Sequence, residues 1–236
     1  MREAPDDGGD RTNDASGEAS GAAVVVDEVD GRIEARWAAD RPGSGISVDF
    51  SGIAFPSGLT AVRGMPLVRA CGAAEARAGA RLVDATAGLG YDAFLLAAAG
   101  FRVTCVERSP LVARLLADGL RRLAEEPAPL GEVAARMALL VGDARQLFGT
   151  PALPDAEVCY LDPMYPPKKR ASALPPKEMQ IVRALVGADL DAGELFGVAL
   201  RHSRRVVVKR PLHAEPLGRP ESTVSGKLAR FDRYRG

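Results

Sequence analysis

The chain has few of the residues that hold metals or form disulfides. Its 236 residues include three cysteines, Cys71, Cys105 and Cys159, and two histidines, His202 and His213. The cysteines are far apart within apolar sequence, which predicts buried thiols in a reducing compartment. Neither histidine stands at a zinc-ligand spacing from a cysteine, so no metal site is expected.

The sequence also lacks a targeting signal and a membrane-spanning run. No stretch approaches the roughly 18 consecutive apolar residues of a transmembrane helix, and the first residues do not form a signal peptide. We therefore expect a soluble, cytoplasmic protein. The length suits one catalytic domain with extensions. The oligomeric state stays open, with a monomer favoured.

The formal net charge is zero, since 31 basic and 31 acidic residues cancel, but the charges are unevenly distributed along the chain. Residues 1–20 carry two arginines against six acidic residues, and from residue 201 onward ten basic residues face three acidic ones. An acidic leader and a basic tail thus conceal each other. Because residues 1–20 are poor in large apolar side chains, we expect them to be a disordered leader.

The pattern of apolar runs divides the rest of the chain. Short runs at residues 24–26, 32–37 and 46–50, separated by Asp-Gly and Pro-Gly turn signals, predict a small β appendage over residues 21–60. In residues 61–236, apolar strands at 81–84, 101–107, 137–141, 157–161 and 205–209 alternate with helical patterns. This alternation predicts an α/β, Rossmann-like catalytic domain with a mostly parallel sheet. A hairpin at 222–234 would add an antiparallel C-terminal edge.

The clearest helix begins after Ser109. The hydroxyl of Ser109 can accept a backbone hydrogen bond as the N-cap, and Pro110 suits the first helical position. Apolar residues repeat on one face from residue 111 to residue 123, so this helix is expected to pack on the sheet.

A glycine-rich turn, DATAGLGYD at residues 84–92, joins the first predicted strand of the domain to a helix. Gly88 and Gly90 would let the backbone approach a ligand, although the turn alone also fits a tight connection without one. Glu107 ends the next strand, where a carboxylate can accept hydrogen bonds from both ribose hydroxyls. Asp143 closes the third strand and can face an adenine amino group. Asp84 and Asp143 both end apolar strands, where ligand contact would offset the cost of desolvation.

The strand at 157–161 ends in Asp162-Pro163-Met164-Tyr165, at the edge where open parallel sheets bind ligands. Asp162 and the carbonyl of Pro163 can accept hydrogen bonds from a planar amine and hold its nitrogen in line with a methyl sulfonium. Tyr165 can stack on a base pulled out of its helix. Methyl transfer needs mainly this positioning, because the sulfonium is a strong donor. The motif therefore predicts an S-adenosylmethionine (SAM)-dependent methyltransferase that acts on a base amine.

Basic residues surround this motif. Four of them follow it, namely Lys168, Lys169, Arg170 and Lys177, and Lys209 and Arg210 lie at the end of the strand at 205–209. Because that strand is apolar enough to be central, these groups are expected to converge near Asp162 and contact RNA phosphates. Each of them alone also fits a solvated surface residue.

Together these motifs resemble the ribosomal RNA small subunit methyltransferase J family, which methylates guanine N2 in bacterial 16S ribosomal RNA. The likeness spans roughly residues 45–235. It is carried by residues 84–93 (DATAGLGYDA), 106–110 (VERSP), 160–166 (YLDPMYP), 177–179 (KEM), 183–187 (RALVG), 205–211 (RVVVKRP) and 230–234 (RFDRY). The resemblance implies the class I SAM-dependent methyltransferase fold, SAM as cofactor, and 16S ribosomal RNA or the small ribosomal subunit as partner.

The resemblance also implies which residues contact the cofactor. They are Tyr91, Asp92, Glu107, Arg108, Asp143, Ala144 and Asp162. Tyr91 stands where the family has a basic residue, and Asp143 stands where a small hydroxyl residue is expected. Both changes are compatible with the same cofactor, but they leave the details of those two contacts open.

Three alternatives remain open from the residues alone. An enzyme of the same fold could methylate adenine N6 in DNA or RNA, or a glutamine side chain. A nicotinamide-dependent oxidoreductase would leave residues 162–166 unexplained. A non-enzymatic RNA-binding module could keep the fold without the chemistry.

Overall fold

The computed structural model describes residues 23–53, 58–164, 176–187 and 191–236. Within these ranges the strands form a two-stranded hairpin and a seven-stranded sheet. The hairpin pairs β1 (Val24–Val29) with β2 (Arg32–Trp37). The strands of the sheet are β3 (Arg81–Asp84), β4 (Arg102–Glu107), β5 (Met137–Val141), β6 (Ala156–Leu161), β7 (Ser203–Pro211), β8 (Ser222–Ser225) and β9 (Ala229–Arg235).

The order of strands in the sheet is β5-β4-β3-β6-β7-β9-β8. The pairs from β5 to β7 are parallel, whereas β9 is antiparallel to both β7 and β8. The predicted Rossmann-like sheet with an antiparallel C-terminal edge is therefore confirmed. The strand order reverses between β3 and β6, and the carboxyl edge at such a switch point is where open parallel sheets bind ligands.

Helices cover both faces of the sheet, because alternate strand residues point to opposite sides. Val158 and Tyr160 of β6 belong to one hydrophobic core, whereas Cys159 and Leu161 belong to a second. The helices are a 3-10 helix (Leu59–Gly64), α1 (Pro66–Cys71), α2 (Ala73–Arg77), α3 (Tyr91–Ala99), α4 (Pro110–Glu125), α5 (Leu130–Ala134), α6 (Ala144–Leu147), α7 (Lys177–Val186) and α8 (Ala192–His202). In the described ranges, no helix combines the length and hydrophobicity that crossing a membrane requires.

Helix α4 begins where the sequence predicts. The Ser109 hydroxyl accepts the Val112 backbone N–H at 3.4 Å, and Pro110 occupies the first turn. Leu115 and Leu116 are fully buried on the face that meets the core. The exposed side of α4 carries charged residues such as Arg114 and Arg121, so the predicted amphipathic pattern is confirmed for most of the helix. It is wrong at Leu111, which is 43% exposed, and the buried side also contains the charged residue Asp118.

Gly90 is required by the turn that precedes α3. Its φ of 80° lies in the left-handed region, and a Cβ at this position would lie 2.5 Å from Cδ1 of Leu116. A larger residue would therefore be strained by its backbone and would also push α3 away from α4. The turn can adopt this backbone conformation only because residue 90 is glycine.

The expected third strand of the appendage, at residues 46–50, is wrong. Ile46 forms a single bridge with Ala35, through N···O distances of 2.9 and 2.8 Å. Beyond it the Arg122 guanidinium of α4 donates to the carbonyl of Val48. Because a helix side chain takes up this carbonyl, the segment runs along α4 instead of extending the hairpin.

Residues of the predicted appendage and of the predicted catalytic domain share one hydrophobic core. Val48 is fully buried and Phe50 is 2% exposed, in the same cluster as Phe94 and Leu116. The Phe50 ring stacks on Phe94, with ring centroids 5.0 Å apart and an interplanar angle of 16°. Folding of the appendage therefore buries apolar surface of α3 and α4.

Candidate active site

A cavity of about 270 Å³ lies at the carboxyl edge of the parallel strands. Its volume is close to the roughly 300 Å³ at the lower end for small-molecule pockets. Twelve predicted site residues line it: Asp84, Gly88, Gly90, Tyr91, Asp92, Glu107, Arg108, Asp143, Ala144, Asp162, Pro163 and Lys209. The fold thus brings together residues that are far apart in the sequence.

Glu107 is held by the backbone of two turns. One carboxylate oxygen accepts the Gly88 N–H at 2.9 Å, and the other accepts the Ser109 N–H at 2.7 Å. The residue is only 5% exposed. These bonds connect the glycine-rich turn to the end of β4, so they fix the carboxylate at the place where a ribose is expected.

Asp84 is the most deeply buried acidic residue of the cavity. It is 2% exposed, and one carboxylate oxygen accepts the Thr86 N–H at 3.2 Å. Burial, together with the nearby Asp92 carboxylate, raises the pKa of Asp84 well above its ordinary value. A cationic ligand beside Asp84 would stabilise its ionised form.

Lys209 lines the cavity and pairs with two of its carboxylates. Its Nζ is 2.8 Å from Oδ2 of Asp92 and 2.9 Å from Oδ2 of Asp162, and the Tyr160 hydroxyl donates to the same Asp92 oxygen at 2.6 Å. Burial lowers the pKa of Lys209, but the Asp162 and Asp92 carboxylates outweigh that effect and raise it. Lys209 therefore stays protonated and connects β7 to the first turn of α3 and to Asp162, the residue that follows β6.

Asp162 is also positioned through its backbone. Its N–H donates to Oγ1 of Thr86 at 2.7 Å, and its side chain is 34% exposed. Thr86 is a site residue that sequence reasoning missed, although it stands inside the glycine-rich turn. It couples the turn that is expected to hold the cofactor to the motif that is expected to hold the amine.

A charge network closes the end of the cavity near β5. Asp143 caps α6 by accepting the Arg145 N–H at 2.9 Å, and it also pairs with the Arg145 guanidinium, which lowers the pKa of Asp143. Arg145 further contacts Asp191 at 3.0 Å, and Arg108 contacts Asp191 at 2.9 Å. Sequence reasoning missed Arg145 and Asp191. The expected contact between Asp143 and an adenine amino group stays a prediction.

Two of the predicted RNA contacts lie away from the cavity. Lys177 Nζ is 2.8 Å from Oδ2 of Asp40 and 2.7 Å from the carbonyl of Ser44, so it ties α7 to the segment that follows β2. Arg210 is 9% exposed and donates to the backbone carbonyl of Glu215. Four further predicted residues lie outside the described part of the chain: Tyr165, Lys168, Lys169 and Arg170.

The lining fits the cofactor that the sequence predicts. Six carboxylates and three basic side chains line the cavity, and this excess of negative charge suits a ligand with an ammonium and a sulfonium group. Asp84 is buried with a raised pKa, which a cation would lower again. In the described part of the chain, no group of three or more His, Cys, Asp or Glu side chains could hold a metal ion.

The chain is similar to proteins that are named as methyltransferases. A family model described as "Putative SAM-dependent methyltransferase" matches residues 14–236. Ribosomal RNA small subunit methyltransferase J of Thioalkalivibrio sulfidiphilus is 45% identical over 226 residues, which cover 93% of this chain and 87% of that protein. The protein of the same name from Rhodopseudomonas palustris is 46% identical over 195 residues, covering 80% of this chain and 87% of that protein. A crystal structure of a SAM-dependent methyltransferase from Neisseria gonorrhoeae is 32% identical, with a TM-score of 0.61 over 86% of this chain and 78% of that chain.

Proposed function

We propose that this chain, which belongs to the SAM-dependent methyltransferase family that includes the ribosomal RNA small subunit methyltransferase J proteins, methylates the N2 amine of a guanosine in small-subunit ribosomal RNA. Its cofactor is SAM, which supplies a methyl group activated on a sulfonium. The relatives' shared name supports ribosomal RNA as the substrate. Guanine N2 follows from the sequence resemblance. The partner is this RNA or the small subunit itself, which would place the enzyme in the cytoplasm.

The observation that carries the proposal is the position of Asp162. Two independent contacts hold it at the cavity, the backbone bond to Thr86 and the ion pair with Lys209. Its carboxylate and the adjacent Pro163 carbonyl can accept the two N–H bonds of an exocyclic amine. This orients the amine nitrogen toward the acidic cavity, and alignment of that kind supplies much of the rate of a group transfer.

The acidic residues of the cavity have different roles at its two ends. Glu107 accepts hydroxyl hydrogen bonds at the ribose end, and Asp84 and Asp92 provide negative charge near Asp162. Asp162 also accepts the proton that the amine loses once its nitrogen is methylated. A strong base is not needed at this position, because the methylated nitrogen is positively charged and releases its proton readily. Stacking of the base on Tyr165 stays a prediction.

The first test is methyl transfer from labelled SAM to unmodified small-subunit ribosomal RNA and to small subunits, with nucleoside analysis of the product. We expect N2-methylguanosine from the wild-type chain. Asp162→Ala should lower the rate roughly 100-fold or more, because the amine loses its main acceptor. The thermal unfolding midpoint should stay within a few degrees of wild type.

Asp155→Ala is the matched control. Asp155 precedes β6, its side chain is 72% exposed, and it pairs only at the surface with His202. Its removal should change neither activity nor stability by much. Labelled DNA without labelled RNA would instead favour a base methyltransferase with another target. Full activity of Asp162→Ala would contradict the assigned role.

A further inference from the structure

A second concave surface lies at the amino ends of the parallel strands, on the edge opposite to the cavity. It is an open groove of about 780 Å³ lined by five arginines, Arg63, Arg77, Arg81, Arg102 and Arg136. Among the described residues, no aspartate or glutamate lines it. We call this surface the amino-edge groove. Its charge is notable in a chain whose acidic and basic residues are equal in number.

Three of these arginines form a row across adjacent strands. Arg81 begins β3 and Arg102 begins β4, and the two are direct neighbours in the parallel register. Arg136 precedes β5, whose first residue pairs with Val103. Neighbouring strands lie about 4.8 Å apart, so the three positive charges are close to one another. Like charges on paired strand positions destabilise a sheet, which means that the row does not serve the fold.

The guanidinium groups are available to a ligand. In the described part of the chain, those of Arg77, Arg81, Arg102 and Arg136 form no hydrogen bond or ion pair, and the first three residues are exposed. The Glu157 carboxylate accepts a hydrogen bond from the backbone N–H of Arg81 at 3.3 Å. It does not bond to the Arg81 guanidinium. Arg63 is the exception, because its Nε donates to the carbonyl of Ala99 at 2.9 Å.

We propose that the amino-edge groove binds the phosphate backbone of the ribosomal RNA substrate, at a point distant from the nucleotide that enters the cavity. This inference rests on the proposed function for its choice of polymer. Arginine forks match phosphate oxygens in pairs, and a row of three suits successive phosphates of one strand. A folded RNA, alone or within the small subunit, is large enough to reach both edges of the sheet.

The test compares Arg81→Gln/Arg102→Gln with wild type in binding to unmodified small-subunit ribosomal RNA over a range of salt concentrations. Loss of two phosphate contacts should reduce the slope of log affinity against log salt by about 1.4–1.8, and weaken binding on the order of tenfold at moderate salt. The KM for RNA should rise accordingly, while kcat at saturating RNA stays unchanged because Asp162 lies at the opposite edge. Stability should not fall, since the exchange removes a repulsion.

Arg201→Gln/Arg219→Gln is the control, with the same loss of charge at two exposed arginines outside the groove. It should leave the slope and the KM near their wild-type values. Equal slopes in all three proteins would overturn the proposal. It would equally be overturned if the groove variant lost binding to polyglutamate but kept its RNA affinity, because the partner would then be an acidic protein. Failure of the proposed function has a separate signature, which is RNA binding by the wild type without methylation.

Discussion

At the scale of single residues, the buried Asp84 carboxylate lowers the stability of the free protein, and a bound cofactor can offset this loss. A buried carboxylate is costly when ionised, and Asp84 is 2% exposed beside other acids. Its neighbours Asp92 and Asp162 share the Lys209 ammonium. The Thr86 N–H and the Lys209 ammonium favour ionised Asp84, but burial and the neighbouring acids outweigh them. A cationic cofactor beside Asp84 would therefore stabilise its ionised form further, and without the cofactor this residue lowers the stability of the protein.

Asp84→Asn should consequently stabilise the free protein. The pKa of Asp84 is raised in the fold above the roughly 3.9 of an unfolded chain, so unfolding releases a proton. Stability from this residue is therefore present below about pH 4 and is lost as pH rises through the raised pKa. Asparagine does not titrate and can still accept the Thr86 N–H. The variant should be more stable than wild type by about 1 kcal/mol at pH 8.

Urea unfolding at several pH values measures this difference, which should narrow toward pH 4. Calorimetry should show weaker SAM binding by the variant at the same time. A wild type that is the more stable protein at pH 8 would mean that Asp84 gains more from its neighbours than burial costs.

For Lys209, the sequence predicted the position of the residue in the fold but not its bonding partners. The apolar run before it correctly predicted a central strand with Lys209 at the carboxyl edge. Its partners, however, are Asp92 and Asp162, which come from two other elements. A lysine near a base-sized site can bind either a phosphate or a carboxylate, so only the packing of α3, β6 and β7 decides which of the two Lys209 contacts. Thr86 and Asp191 were missed for the same reason.

At the scale of elements, prediction worked where one physical signal dominates. Continuous apolar runs identified the parallel strands, and Ser109 with Pro110 identified the start of α4. The prediction of a strand at 46–50 failed because the same alternation of apolar residues also serves to bury Val48 and Phe50 against α3 and α4. The pattern records which side chains are buried, but it does not record what their backbone pairs with.

Phe50→Ala tests whether the appendage supports the catalytic domain. Phe50 stacks on Phe94 and also meets the Tyr91 ring, with centroids 5.8 Å apart, at the wall of the cavity. We expect a loss of about 3–5 kcal/mol from the cavity left in the core, together with weaker SAM binding through Tyr91. Thermal unfolding would show a midpoint lower by about 2–4 °C per kcal/mol.

Leu228→Ala is the matched control for this loss, since Leu228 is 85% exposed and its truncation should cost less than about 0.5 kcal/mol. If the two variants unfold at the same temperature, the division at residue 60 is a true domain boundary. A large difference would make residues 23–53 part of the catalytic core.

At the scale of the whole molecule, a formal charge of zero hides a strong separation. The cavity at the carboxyl edge has an excess of carboxylates, whereas the amino-edge groove is lined by arginines. Such a distribution draws a cationic cofactor and an anionic polymer to different edges of one sheet. Neither surface can be inferred from the net charge, because the acidic residues 1–20 offset a large part of the basic charge.

Deletion of residues 1–20 therefore tests an electrostatic rather than a structural role. The deletion removes two arginines and six acidic residues, which leaves the remaining chain with a formal charge of +4. Because the removed sequence lacks the large apolar residues that build a core, the unfolding midpoint and kcat should not change. Binding to RNA of arbitrary sequence should tighten at low salt and converge with that of the full chain at high salt, where charges are screened. A neutral Gly-Ser leader of equal length should behave like the deletion. A midpoint lowered by more than about 5 °C would show that the leader packs against the domain, since that shift corresponds to more than about 1 kcal/mol.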